Sequence, residues 1–332
     1  MSDMNDDHTG ATRRAILQSG LALGAVALAG PALAQAYPSQ NIQMVCAFPP
    51  GSGADVLVRY FAEELRKKSG RTVLVENRTG AAGNIAAQYV VRSKPDGYTL
   101  YVHAGSSTAA NFHLYKSPPI DPARDLQVAA TLNQQPFMVV VPTKSPHKTL
   151  RDLTKAMLEK GDKASYAQSN TTGKVMGELY KVATGVKAVE VPYRTAGDAI
   201  NDLESGNVDY GMMDPQSALA NFRAGRWRLL AVSTPNRMKA TPDLPTMTEE
   251  GVPGVELFGW FGVMVPKATP RPIVDQLNAW FKDIVSTDET RVFLNAQGGD
   301  PWVTTPEQGQ AQLAADQAKW KEYVKAAGIV PQ

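Results

Sequence analysis

Three times between residues 42 and 108 an apolar run ends in a loop of small residues. Ile42 to Phe48 leads into Pro49-Pro50-Gly51-Ser52-Gly53. Val73 to Asn77 leads into Arg78-Thr79-Gly80-Ala81-Ala82-Gly83-Asn84, and Tyr98 to Ala104 into Gly105-Ser106-Ser107-Thr108. After the first loop, apolar residues recur at Ala54, Leu57, Val58, Phe61, Ala62 and Leu65. That spacing puts one apolar stripe on a helix, which Gly70 is placed to stop. After the second loop a helix is expected over 85–92, with Asn84 as its cap. Strand, loop and helix repeated in this order predict a parallel sheet. Its loops gather at the carboxyl ends of the strands, the edge where α/β folds bind ligands.

The first loop indicates what kind of ligand. Gly51 and Gly53 leave backbone N–H groups bare, and the following helix directs its positive dipole end at the space above. That is a seat for an anion, a carboxylate or phosphate. Pro50, Gly51, Ser52, Gly53 and Ala54 are therefore candidate ligand contacts. Asp55 is a candidate of another kind. In a first helical turn its carboxylate caps free N–H groups, and as a contact it suits a ligand amine. Ser106, Ser107 and Thr108 offer hydroxyls at the end of the third strand.

The middle of the chain repeats this order with other residues. Strands are expected over 164–168, 188–192 and 208–213. They end respectively in Ser169-Asn170-Thr171-Thr172-Gly173, in Tyr193-Arg194-Thr195 and in Asp214. One of the first group is needed as a helix cap, which leaves the others as donors. Arg194 can grip a carboxylate with two parallel hydrogen bonds, and Tyr193 can form a stacking wall. Leu126–Leu132 and Phe137–Val141 read as strands broken by Asn133-Gln134-Gln135-Pro136, where the chain crosses to a second lobe. Phe258–Val265 reads as the return crossing. The expected lobes are 37–136 with 263–332, and 137–262, with a ligand cleft between them.

Composition narrows the function. The 332 residues are 43% hydrophobic and carry a net charge of +2, which gives no electrostatic basis for nucleic-acid binding. Cys46 is the single cysteine and lies within an apolar strand, as a core residue would. The four histidines show no metal-pair spacing, and no CxxC, HExxH or GxSxG occurs, so neither metal nor cofactor is expected. The chain begins with a polar stretch ending in Thr12-Arg13-Arg14, then a mildly apolar run to Leu33. Ala32-Leu33-Ala34 and Ala34-Gln35-Ala36 are small-x-small sites. Residues 1–36 thus read as a twin-arginine export signal cleaved near Ala36, with a periplasmic product.

Together these segments resemble the solute-binding proteins of tripartite tricarboxylate transporters, the Bug family. The likeness rests on Phe48-Pro49-Pro50-Gly51-Ser52-Gly53-Ala54-Asp55 with Arg59, and on Val75-Glu76-Asn77-Arg78-Thr79-Gly80-Ala81-Ala82-Gly83-Asn84. Pro95-Asp96-Gly97-Tyr98-Thr99-Leu100, Val191-Pro192-Tyr193-Arg194, Leu244-Pro245-Thr246 with Glu249 and Gly251, and Trp260-Phe261-Gly262 follow in family order. Pro50 and Thr195 depart from the glycines usual there. The resemblance implies a type II-like, two-lobed α/β periplasmic binding protein, with two doubly wound domains joined by hinge strands. It implies a monomeric receptor, not an enzyme, that closes on a small organic carboxylate (a di- or tricarboxylate, an amino acid or an aromatic carboxylate) and hands it to membrane permease subunits. A sensor kinase is a further possible partner. The competing reading is an exported dinucleotide-dependent oxidoreductase, since Gly51-Ser52-Gly53 after a strand imitates that fingerprint. Val56 stands where its third glycine belongs.

Overall fold

The computed structural model describes residues 37–331, apart from Ser169, Pro192, Arg194 and Thr195. In chain order the first group is β1 (Ile42–Cys46), α1 (Gly53–Ser69), β2 (Val73–Asn77), α2 (Asn84–Val91), β3 (Thr99–Ala104), α3 (Gly105–Leu114), α4 (Pro122–Asp125) and β4 (Leu126–Pro136). The second is β5 (Met138–Pro142), α5 (Leu150–Lys160), β6 (Ser165–Gln168), α6 (Thr171–Thr184), β7 (Val189–Glu190), α7 (Ala196–Ser205), β8 (Tyr210–Met213), α8 (Pro215–Arg223) and β9 (Trp227–Val232). The third is β10 (Phe258–Pro266), α9 (Arg271–Val285), α10 (Asp288–Ala296), β11 (Asp300–Pro301) and α11 (Pro306–Ala326).

Local chemistry sets the element ends. Ser52 caps α1 by accepting from the Asp55 N–H at 3.2 Å. Gly70 ends the helix in the left-handed region, its N–H donating to the Arg66 carbonyl. Thr305 and Gln308 form a reciprocal capping box at the start of α11.

Two sheets result, ordered β11-β4-β10-β3-β1-β2 and β7-β6-β8-β5-β9. The strand–loop–helix repeats give parallel pairs as expected, β1 with β2 and β3, and β6 with β7 and β8. The sheets are nevertheless mixed. β10 runs antiparallel to β3 and β4, and β5 antiparallel to β8 and β9. Each is the strand that has just arrived from the other sheet, so it enters from the opposite end.

The crossings differ in length, one residue between β4 and β5 and the long segment 233–257 between β9 and β10. Phe137 alone separates β4 from β5, and Ser233, following β9, ties the crossings together. The Ser233 hydroxyl accepts from the Phe137 N–H at 2.9 Å and donates to the Leu257 carbonyl, while the Leu257 N–H donates to the Ser233 carbonyl at 2.9 Å. A buried apolar cluster passes from Val45 and Tyr101 through Phe137 and Leu257 to Tyr166 and Tyr210, and so from one sheet to the other.

Three local expectations change. Asn133-Gln134-Gln135-Pro136 does not break a strand but completes β4. Its polar residues are paired with β10 and β11, and the Asn133 side chain accepts from the Phe261 N–H at 3.1 Å. The strand beginning at Phe258 belongs to the first sheet along its length, so the expected boundary at 262/263 falls inside it. Gly105-Ser106-Ser107-Thr108 is not a loop but the first turn of α3.

Candidate ligand-binding cleft

The carboxyl ends of β1, β3, β6 and β8 all open on one cavity of about 480 Å³. Four helices begin on its wall. Ser52, Gly53 and Ala54 line it at the start of α1, and Ser106 and Ser107 at the start of α3. Asn170 and Thr171 line it at the start of α6, and Asp214, Gln216 and Ser217 at the start of α8. The first four N–H groups of a helix have no intrahelical acceptor, so this arrangement concentrates donors and positive dipole ends.

Capping differs among the four. Asn170 Oδ1 accepts from the N–H groups of Thr172 and Gly173 at 3.0 and 3.2 Å. Asp214 Oδ1 accepts from the Ser217 N–H at 2.9 Å. α3 begins directly out of β3 at Ala104 and has no side-chain cap, although Ser106 is 3% exposed. Its start is fixed instead by packing. A Cβ on Gly105 would lie 2.0 Å from the Trp260 ring, so only glycine lets the indole pack against the backbone at this point. Trp260 is itself pinned by donating from Nε1 to Asp316 Oδ2 at 2.6 Å. Burial raises the Asp316 carboxyl above its usual range, although Trp260 and Gln312 both donate into it.

The other described residues among the expected contacts lie off the cavity wall. Asp55 is 1% exposed and its carboxylate is fully engaged. It accepts from the Gly51 N–H at 2.8 Å, from Arg59 Nε at 2.9 Å and from Asn77 Nδ2 at 2.7 Å. Burial opposes its ionisation, yet these three donors hold it below the usual carboxylate range. Asp55 thus fastens the loop from beneath, while Pro50 and Gly51 face outward on the loop's exposed side. Thr108 turns its hydroxyl to the Ala104 carbonyl at 3.0 Å. Thr172 is 1% exposed, and Gly173 packs so near Met212 that a Cβ would sit 2.5 Å from its carbonyl oxygen. Tyr193 donates to Asp202 Oδ2 at 3.1 Å and packs on the second lobe's core. Ser169, Arg194 and Thr195 lie outside the described residues.

The sequence reading passed over several lining residues. Thr79, Gly80, Ala82 and Gly83 come from the second small-residue loop, which it had placed at the correct edge. Ala81 and Ala82 there have φ of 46° and 53°. The left-handed region costs such residues about 1–2 kcal/mol each. Asn111 Nδ2 holds the Ala82 carbonyl at 2.8 Å. Phe48, His103 and Phe261 form an aromatic wall, with ring centroids 4.8 Å apart for Phe48–His103 and 5.9 Å for Phe48–Phe261.

His103 is 2% exposed, and burial pushes its imidazole down to about 3 against the pull of the Ala82 backbone. The ring is neutral at pH 7. Unfolded, it takes a proton near 6.5, so the unfolded state gains stability as the pH falls from there toward 3. His103→Gln is expected to flatten the acid limb of the stability profile by about 1 kcal/mol per pH unit in that window. Urea unfolding at pH 7 and pH 4.5 measures it, and parallel profiles for the two proteins would contradict it.

Contacts across the cleft join the sides. Gln216 of α8 reaches over so that a Cβ on Gly53 would be 2.9 Å from its Cβ and Cγ, and its Nε2 donates to Gln135 Oε1 at 3.0 Å. Arg223 Nη1 donates to the Ala296 carbonyl at 2.8 Å. The Asp300 carboxylate accepts from the N–H groups of Lys239 and Ala240 at 2.9 and 3.0 Å.

This fold recurs in proteins similar to this one. Protein BugT of Bordetella pertussis is 30% identical over 312 residues, covering 93% of this chain and 96% of its own length. The structure of an R. palustris protein with adipate superposes with a TM-score of 0.82 at 32% identity, covering 89% of this chain and 100% of that one. MatC from Rhodopseudomonas palustris with bound malate gives 0.75 at 26% identity, over 87% and 100%. The family described as the tripartite tricarboxylate transporter family receptor matches residues 57–329. This chain belongs to that family.

Proposed function

We propose that the protein captures a small organic carboxylate in the cavity between its lobes and delivers it, from the periplasm, to membrane permease subunits of a tripartite tricarboxylate transporter. The observation that carries this is the uncapped start of α3. Ser106 and Ser107 of its first turn line the cavity and no side chain caps it, so an anion is the natural partner for its first N–H groups. The adipate and malate bound by two similar proteins support a carboxylate as that anion. In this reading residues 1–36 are the export signal. The lobes are 37–136 with 258–332, and 137–257, hinged where Phe137, Ser233 and Leu257 meet. Solute binds first to one lobe and the other closes over it.

Ser107→Asp separates binding from folding. A carboxylate in the first turn of α3 complements the helix dipole and is expected to raise stability by about 0.3–1 kcal/mol. The same charge stands where the solute's carboxylate would sit, and carboxylate affinity is expected to fall roughly 100-fold. Urea unfolding and titration calorimetry on one preparation read both. Undiminished affinity in the variant would remove α3 from the site.

A further inference from the structure

The proposed reading leaves open what kind of carboxylate the cavity takes. Its lining is uneven in a way that bears on this. Many of the hydrogen-bond donors are clustered at helix starts; away from these, Thr79, Asn111 and Gln135 add polar groups, and Phe48, Phe137 and Phe261 form an aromatic face. The Phe48 and Phe261 rings are tilted 40° to one another. The His103 ring is tilted 40° to Phe48 in turn, and Phe137 adds a further ring from the hinge. Among the described residues that line the cavity, Asp214 carries the one formal charge, and it is negative.

A dicarboxylate needs two anion seats. Three of the four helix starts on the wall are capped, by Ser52, Asn170 and Asp214, so a second carboxylate extending from α3 along the aromatic face would meet ring faces, whose quadrupole is negative. An uncharged flat body avoids that penalty. Tilted rings 4.8 to 5.9 Å apart offer it the offset and edge-to-face contacts that aromatic groups prefer.

We propose that the solute is an aromatic monocarboxylate, with its carboxylate at the start of α3 and its ring against Phe48, His103 and Phe261. This rests on the carboxylate-receptor reading and adds the solute's class to it.

The test is titration calorimetry of the purified protein with benzoate, cyclohexanecarboxylate, adipate, malate and benzamide. Cyclohexanecarboxylate matches benzoate in charge and ring size but is not flat. Benzoate is expected to bind roughly ten-fold or more tightly than cyclohexanecarboxylate, adipate or malate, with benzamide weaker still. Phe48→Leu keeps an apolar side chain on the wall and removes a ring face. It is expected to erase the preference for benzoate over cyclohexanecarboxylate. Adipate or malate binding as tightly as benzoate would overturn the aromatic assignment while leaving a carboxylate receptor in place. Equal binding of benzoate and cyclohexanecarboxylate by the unmodified protein would do the same. A Phe48→Leu variant that keeps the preference would overturn the placement of the ring. Benzamide matching benzoate, or no carboxylate binding at all, would overturn the receptor reading together with the inference built on it.

Discussion

Gly105→Ala is expected to cost about 3 kcal/mol of stability, at the upper end for a single added methyl group in a core. The added Cβ would sit 2.0 Å from Cζ2 of Trp260, well inside van der Waals contact. The indole has nowhere to go. It is fully buried, hydrogen-bonded to Asp316, and set edge-on to Trp302 with ring centroids 5.7 Å apart. The backbone at 105 is equally constrained, because β3 runs straight into α3 at this point. Relief must come from shifting the start of α3, so carboxylate affinity should fall along with stability. The midpoint of urea unfolding is the measurement. Shortening Trp260 to leucine in the same chain should recover part of the loss, since two residues in contact couple. An unchanged midpoint in Gly105→Ala would mean that α3 is not held in place by this contact.

Gly53→Val tests a different kind of crowding. The Cβ it introduces meets Cβ and Cγ of Gln216 at 2.9 Å, but across the cleft rather than within one lobe. The lobes can avoid the clash by staying apart, so stability should change by less than about 1 kcal/mol. Binding should suffer much more. Apparent affinity scales with the population able to close, and a roughly 100-fold loss is expected. Gln216→Gly in the same chain removes the opposing atoms and should restore most of the affinity. Normal affinity in Gly53→Val would show that closure to this distance is not needed for binding.

Much of the fold was legible because it is written locally. The Ser52 cap, the apolar stripe of α1 and its stop at Gly70 lie within a few residues of one another, and each has one structural solution. The first loop was placed at the cavity for the same reason. What escaped the sequence depends on partners far along the chain. Gly-Ser-Ser-Thr at 105–108 has the composition of a loop, and is a helix start held by the packing of Trp260 against Gly105. Asn133 to Pro136 read as a break because nothing nearby indicates that β10 and β11 will pair with them. Asp55 could be read as a cap from its position, but its engagement by Asn77 belongs to the tertiary structure. The aromatic wall joins residues 48, 103 and 261, which no window of sequence brings together.

The place of β10 also bears on the order in which the molecule can be assembled. It lies in the interior of its sheet, between β3 and β4, although it is made after the whole of the second sheet. A growing chain therefore completes β5 to β9 while β3 and β4 still present bare edges to each other. Such edges are templates for aggregation until the missing strand arrives. The lobe that is synthesised first is the last to become finished. Until residue 266 is available, keeping the chain soluble falls to whatever holds those edges apart.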